Sequence, residues 1–148
     1  MNWRGENTTL IVSKIIPASA ERLFAAWTDP EQLKQWWGPE SVQCIAAEVD
    51  LRVGGRFRIG NEFPDGKIIW ISGAFRVIDR PRKLVYTWQI APDSPEELVT
   101  VTFQPANPGA CEITVMHERI PDQSTRKGHE QGWFGCLAKL EAYLLDVG

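Results

Sequence analysis

From residue 42 to 118 apolar side chains recur at every second position between clusters of turn residues, and from about residue 122 onward that period gives way to a helical one. The change of period restricts the fold more than any other feature of the chain. Amphipathic strands have one face to bury, and a helix with a broad apolar stripe cannot bury it on itself. The simplest joint solution lays the helix across the inner face of an antiparallel sheet. Six strands are expected near 43–50, 54–61, 68–78, 82–90, 97–104 and 110–118. Turns fall at Gly54-Gly55, Pro64-Asp65-Gly66, Asp79-Arg80-Pro81, Ala91-Pro92-Asp93 and Asn107-Pro108-Gly109. Ahead of them the β-branched run at 8–16 reads as a first strand, stopped by Pro17. Ser19 then caps a short helix carrying Phe24 and Trp27; Asp29-Pro30 ends it and starts a second with Leu33, Trp36 and Trp37, closed by Gly38-Pro39. The class is α+β, with residues 1–148 expected as a single domain.

Alternation assigns faces. Phe57 and Ile59 oppose Arg56 and Arg58; Val99, Val101 and Phe103 oppose Thr100 and Thr102; Ile113, Val115 and His117 oppose Glu112, Thr114 and Glu118. At 100° per residue His129, Trp133, Cys136, Leu137, Leu140, Tyr143, Leu144 and Val147 share a sector of roughly 120° on the last helix. Gly128, Gly132 and Gly135 lie beside that sector, each costing the helix about 1 kcal/mol relative to Ala. Close approach of the helix backbone to a neighbouring strand or loop is the expected reason, with added cavity room or a mobile gate as alternatives. Gly54-Gly55, between two strands, is expected to supply a bulge or a positive-φ turn rather than a phosphate cradle, since no helix follows it.

Composition removes several function classes. The 16 Lys and Arg against 19 Asp and Glu give a net charge of −3, leaving no excess positive charge to neutralise a nucleic-acid backbone. The longest nearly apolar run, at 68–75, is far shorter than the 18 or more residues of a membrane helix, and Arg4 and Glu6 interrupt the N-terminus where a signal peptide would be apolar. A cytoplasmic protein without membrane insertion is expected, as a monomer or homodimer. Its three cysteines, Cys44, Cys111 and Cys136, have no C-x-x-C spacing and read as reduced thiols, and with only His117 and His129 beside them no metal site is expected. Seven Trp and six Phe are the unusual feature of the composition, because aromatic rings fill cores and also line sites for apolar ligands.

Trp36-Trp37-Gly38-Pro39, the Arg52-Val53-Gly54-Gly55 segment and His129-Glu130-x-Gly132-Trp133, in that order, are the most specific parts of a wider resemblance. It also takes in Pro17, Phe24, Trp27, Thr28-Asp29-Pro30, Leu33, Ser72-Gly73, Leu84 to Trp88 and Leu137. Over about 10–145 the chain resembles the C-terminal domain of the activator of the heat-shock protein 90 ATPase, in the START-like superfamily. The resemblance implies a helix-grip fold, a curved antiparallel sheet wrapped around the C-terminal helix with a cavity between them. The eukaryotic co-chaperone carries a separate N-terminal domain where about seven residues precede the first strand here, so this chain is not expected to stimulate the chaperone by itself.

With that cavity implied, the aromatic residues become candidates for its wall: Trp36, Trp37, Phe57, Trp70, Phe75 and Trp88, together with Phe103, His117, His129, Trp133 and Leu137. A small apolar or aromatic ligand is the expected partner, bound without metal or organic cofactor. The two histidines face inward and meet across the cavity in this reading, but Glu118 lies on the outer face and no nucleophile stands at a recognised spacing. A non-catalytic binding protein is therefore expected. A co-chaperone-like or stress-response interaction module stands as one alternative, and a cyclase- or hydratase-type enzyme using His117 and His129 as another.

Overall fold

A computed structural model describes residues 9–38, 41–91 and 93–147, with side chains through 145. Arg4, Glu6, the first residue of the 8–16 run, Pro39, Pro92 and the Val147 side chain, all part of the readings above, lie outside the described residues. The element order is β1 (Leu10–Ile16), α1 (Ala20–Thr28), α2 (Pro30–Trp36), β2 (Gln43–Val49), β3 (Arg56–Glu62), β4 (Ile68–Asp79), β5 (Lys83–Trp88), β6 (Glu97–Asn107), β7 (Ala110–Glu118) and α3 (Gln123–Val147). Strands β2 to β7 run as a meander, and β1 joins the far edge beside β7, giving the order β1-β7-β6-β5-β4-β3-β2. Since β1 and β2 are opposite edges, α1 and α2 carry the chain from one side of the sheet to the other. The pairing is antiparallel throughout, and register shifts at Cys44/Ala46, Phe75/Val77 and Pro105/Asn107 mark irregularities of the kind that bend a strand. The sheet curls around α3 in a helix grip.

Local chemistry sets the boundaries. The Ser19 hydroxyl accepts from the Arg22 N–H at 3.1 Å and caps α1. Asp29 accepts from the Glu31 N–H at 3.1 Å, with Pro30 opening α2, where a missing N–H costs nothing. Asp122 takes the Thr125 N–H at 2.8 Å ahead of α3. Gly54 adopts φ +84°, and a Cβ on Gly55 would stand 2.1 Å from the Asp50 carbonyl oxygen, so the pair makes a turn no larger residues fit. Among the described residues no helix is long and apolar enough to cross a membrane.

The inner face of the sheet and the inner stripe of α3 share one core. Val99, Val101, Ile113 and Val115 are fully buried, and Trp133, Leu137, Leu140 and Leu144 close over them. Arg56 and Arg58 are exposed on the outer face, as alternation assigns them. Leu140→Ala should lower the unfolding free energy by about 2–5 kcal/mol, because the side chain is removed from a packed interior. Phe134→Ala, on the opposite, exposed side of the same helix, should change it by less than about 0.5 kcal/mol. Urea unfolding of the two variants measures the difference.

Candidate functional site

Trp27 sits at the centre of the aromatic cluster. Its ring lies 5.0 Å from Trp36, 5.9 Å from Phe103 and 6.0 Å from Trp133, on which it stacks. Its N–H donates to the Tyr86 hydroxyl at 3.2 Å, and the Trp36 N–H donates to the Ala26 carbonyl at 3.0 Å. Burial pushes the Tyr86 phenol far above its ordinary value. Phe57, Phe75 and Trp37 leave beside Trp27 a void of only about 20 Å³, room for about one water. The middle of the grip is filled by rings rather than hollow.

An open-mouthed cavity of about 190 Å³ lies toward the N-terminal half of α3 instead. Trp37 and Gly38, one inner residue of β3 and two of β4, Trp88, and one side of α3 from Gly128 to Cys136 enclose it. Alternation puts Asn61, Ile69 and Ile71 on this wall, and the helical glycines leave it open. A Cβ on Gly128 or Gly132 would meet nothing within 4 Å. The expectation that these two glycines permit close backbone approach is therefore corrected: they leave space. Cys136, also on the wall, remains a thiol, because burial pushes its pKa up to about 12.

Behind the wall runs a chain of hydrogen bonds. The Trp133 indole N–H donates to His117 Nδ1 at 3.1 Å, and His117 Nε2 and His129 Nε2 stand 2.7 and 2.9 Å from the same oxygen of Glu97, Oε1. An indole N–H can only donate, so Nδ1 of His117 is unprotonated and its Nε2 carries the proton given to Glu97. The two imidazoles stack at 4.4 Å. Burial pulls the His117 pKa below its ordinary 6.5, against the pull of the Glu97 carboxylate. Burial alone would raise Glu97, but the hydrogen bonds from His117 and His129 outweigh it and hold the carboxyl below its ordinary 4.5.

Glu97, His117 and His129 bring three potential ligand atoms within 4.8 Å. A metal taken by Nε2 of His117 would move that ring's proton to Nδ1, directly against the Trp133 N–H, so this donor set does not fit an ion. What it can do is orient His129: Glu97 holds Nε2–H, and Nδ1 is left as an acceptor on a ring that borders the cavity.

Of the wall residues expected from sequence, Trp37, Trp88, His129 and Trp133 border the cavity. Phe57 and Phe75 border the small void. Trp36, Phe103 and Leu137, each 1% exposed, are packed into the core, and His117 is fully buried behind His129; these four are corrected from wall to support. Trp70 is corrected outright. It lies on the outer face, where the Arg58 guanidinium covers its ring at 3.8 Å, because it alternates with inward Ile69 and Ile71. Glu97 and Asn61 escaped the sequence reading, although parity with Val99 and with Ile59 places both inward.

Both pKa displacements have the same consequence. Folded His117 and folded Glu97 bind a proton less readily than their unfolded counterparts near 6.5 and 4.5, so acid protonates the unfolded state first. Stability should hold above about pH 6.5, fall below it as unfolded His117 gains its proton, and fall again below about 4.5. Glu97→Ala leaves a buried imidazole N–H unpaired and should cost about 3 kcal/mol at neutral pH, with a flatter acid limb. Urea unfolding of both proteins across that pH range reads out each effect.

Over residues 17–145 the sequence matches the family described as Activator of Hsp90 ATPase homolog 1-like protein. Among solved structures the chain is similar to the AHSA1 protein from Silicibacter pomeroyi, at 27% identity over 95% of this chain and 99% of that one, with TM-score 0.85. It is also similar to a protein from Chromobacterium violaceum, at 27% identity over 91% and 95% of the two chains, with TM-score 0.84. An HSP90 activator from Plasmodium falciparum shares the fold, at 24% identity over 93% and 96% and TM-score 0.71. No curated protein matches the chain. The family match spans most of the molecule, and the helix-grip architecture agrees with it: the chain belongs to the Activator of Hsp90 ATPase homolog 1-like family of the START-like superfamily.

Proposed function

We propose that this protein binds a small hydrophobic molecule, without covalent chemistry, in the 190 Å³ cavity between the sheet and the first half of α3. The observation that carries the reading is the pair Gly128 and Gly132. Both are helical and border the cavity, Gly132 half-buried and Gly128 exposed, and neither has a neighbour that a methyl group would strike. Relative to Ala each lowers helix stability by about 1 kcal/mol, a cost that buys only open space. Space of this size suits one or two fused rings, since an apolar cavity of about 150 Å³ accepts benzene. Trp37, Trp88 and Trp133 present ring surfaces to such a guest.

Gly132→Ala should raise the unfolding free energy by about 1 kcal/mol, and Gly132→Leu should keep the fold while filling the cavity. Naphthalene titrated into the wild type should quench or shift tryptophan emission, and the Leu variant should lose that response. An undiminished response in Gly132→Leu, with the fold verified by circular dichroism, places the guest elsewhere.

A further inference from the structure

Two residues that line the cavity each carry a polar atom out of balance with the rest of the interior. Asn61 Oδ1 and Trp88 Nε1 are buried without a hydrogen-bond partner, on residues only 5% and 6% exposed. Nearly all buried polar atoms in folded proteins are paired, so an orphan donor and an orphan acceptor on two residues that line one cavity are groups a guest would complete, with a small turn of the side chains that now seal them. His129 adds a third polar atom. With Nε2–H committed to Glu97, its Nδ1 is an acceptor. The lining residues thus carry one unpaired N–H and two acceptors. None of its described lining residues is charged, and the Glu97 carboxylate lies immediately behind His129.

Resting on the cavity reading above, we infer that the ligand is an uncharged one- or two-ring aromatic bearing a hydroxyl group. Such a hydroxyl accepts from the Trp88 N–H and donates to Asn61 Oδ1 or His129 Nδ1, using in one group both kinds of contact that the wall lacks. A carboxylate is selected against, since it brings only acceptors and a negative charge toward two acceptors and Glu97. A bare hydrocarbon fits the space but leaves both orphans unpaired.

Four matched probes separate these cases by titration calorimetry at about pH 7.5, where a phenol, titrating at about 10, is neutral. 2-Naphthol should bind about tenfold or more tighter than naphthalene, and 2-methoxynaphthalene, which accepts but cannot donate, should fall between them. 2-Naphthoate should bind at least about tenfold more weakly than 2-naphthol. Trp88→Phe and Asn61→Leu should each shrink the ratio of 2-naphthol to naphthalene affinity, both measured on the same variant, whatever either change does to the binding of the bare ring. Asn61→Leu should also raise the unliganded melting temperature by a few degrees, because the orphan acceptor is gone. If naphthalene binds and 2-naphthol binds no better, or if 2-naphthoate binds as well as 2-naphthol, the hydroxyl-aromatic inference is overturned and the cavity reading stands. If none of the four binds the wild type, both are overturned.

Discussion

An indole N–H donates and never accepts, and from that restriction the proton positions along Trp133, His117, Glu97 and His129 follow in order. The four residues come from α3, β7 and β6, so the chain of bonds ties the C-terminal helix to the sheet at a polar point inside an otherwise apolar contact. Apolar packing alone would hold α3 against the sheet without fixing its rotation closely; directional bonds between buried groups add that specification. Glu97 is the least replaceable member. It receives two N–H groups, and its burial is tolerable only because both are present.

The aromatic volume is divided unevenly along α3. Toward Leu137, Leu140 and Leu144 the helix carries branched side chains, and Trp27, Trp36 and Phe103 complete a core with almost no free volume. At Gly128 and Gly132 the helix contributes only backbone between His129, Trp133 and Cys136, and although Trp88 packs on His129 and Trp133, nothing fills the space those two glycines leave. The cavity is therefore a consequence of side-chain size on one helix rather than of sheet curvature alone. A filled half supplies the stability that an open half forgoes.

That division has the character of a functional compromise. Two helical glycines, an unpaired carbonyl and an unpaired N–H each lower stability, and all four belong to residues on the same cavity. Destabilising features scattered over a protein need no common cause, whereas several converging on one concave surface do. Elsewhere in the described interior the polar groups follow the usual rule: Thr28 bonds the Phe24 carbonyl, and Trp36 the Ala26 carbonyl.

Element order, strand parity, both short-helix caps and the inner stripe of α3 were legible in the sequence, because period and capping chemistry act over a few residues and leave a local pattern. Parity even contained more than was read from it: Glu97 and Asn61 are inward, and Trp70 outward, by the same rule that places Val99, Ile59 and Ile71. Parity names a face, however, and not a depth. Whether an inward ring fills space, as Trp36 and Phe103 do, or borders it, as Trp88 and Trp133 do, depends on what the opposite element brings to the same point. The same holds for the glycines of α3, whose cost was visible but whose reason was not. Only the tertiary structure brings a glycine on one helix opposite a strand residue some 60 positions away, and only there do a shared carboxylate and an open cavity come into being.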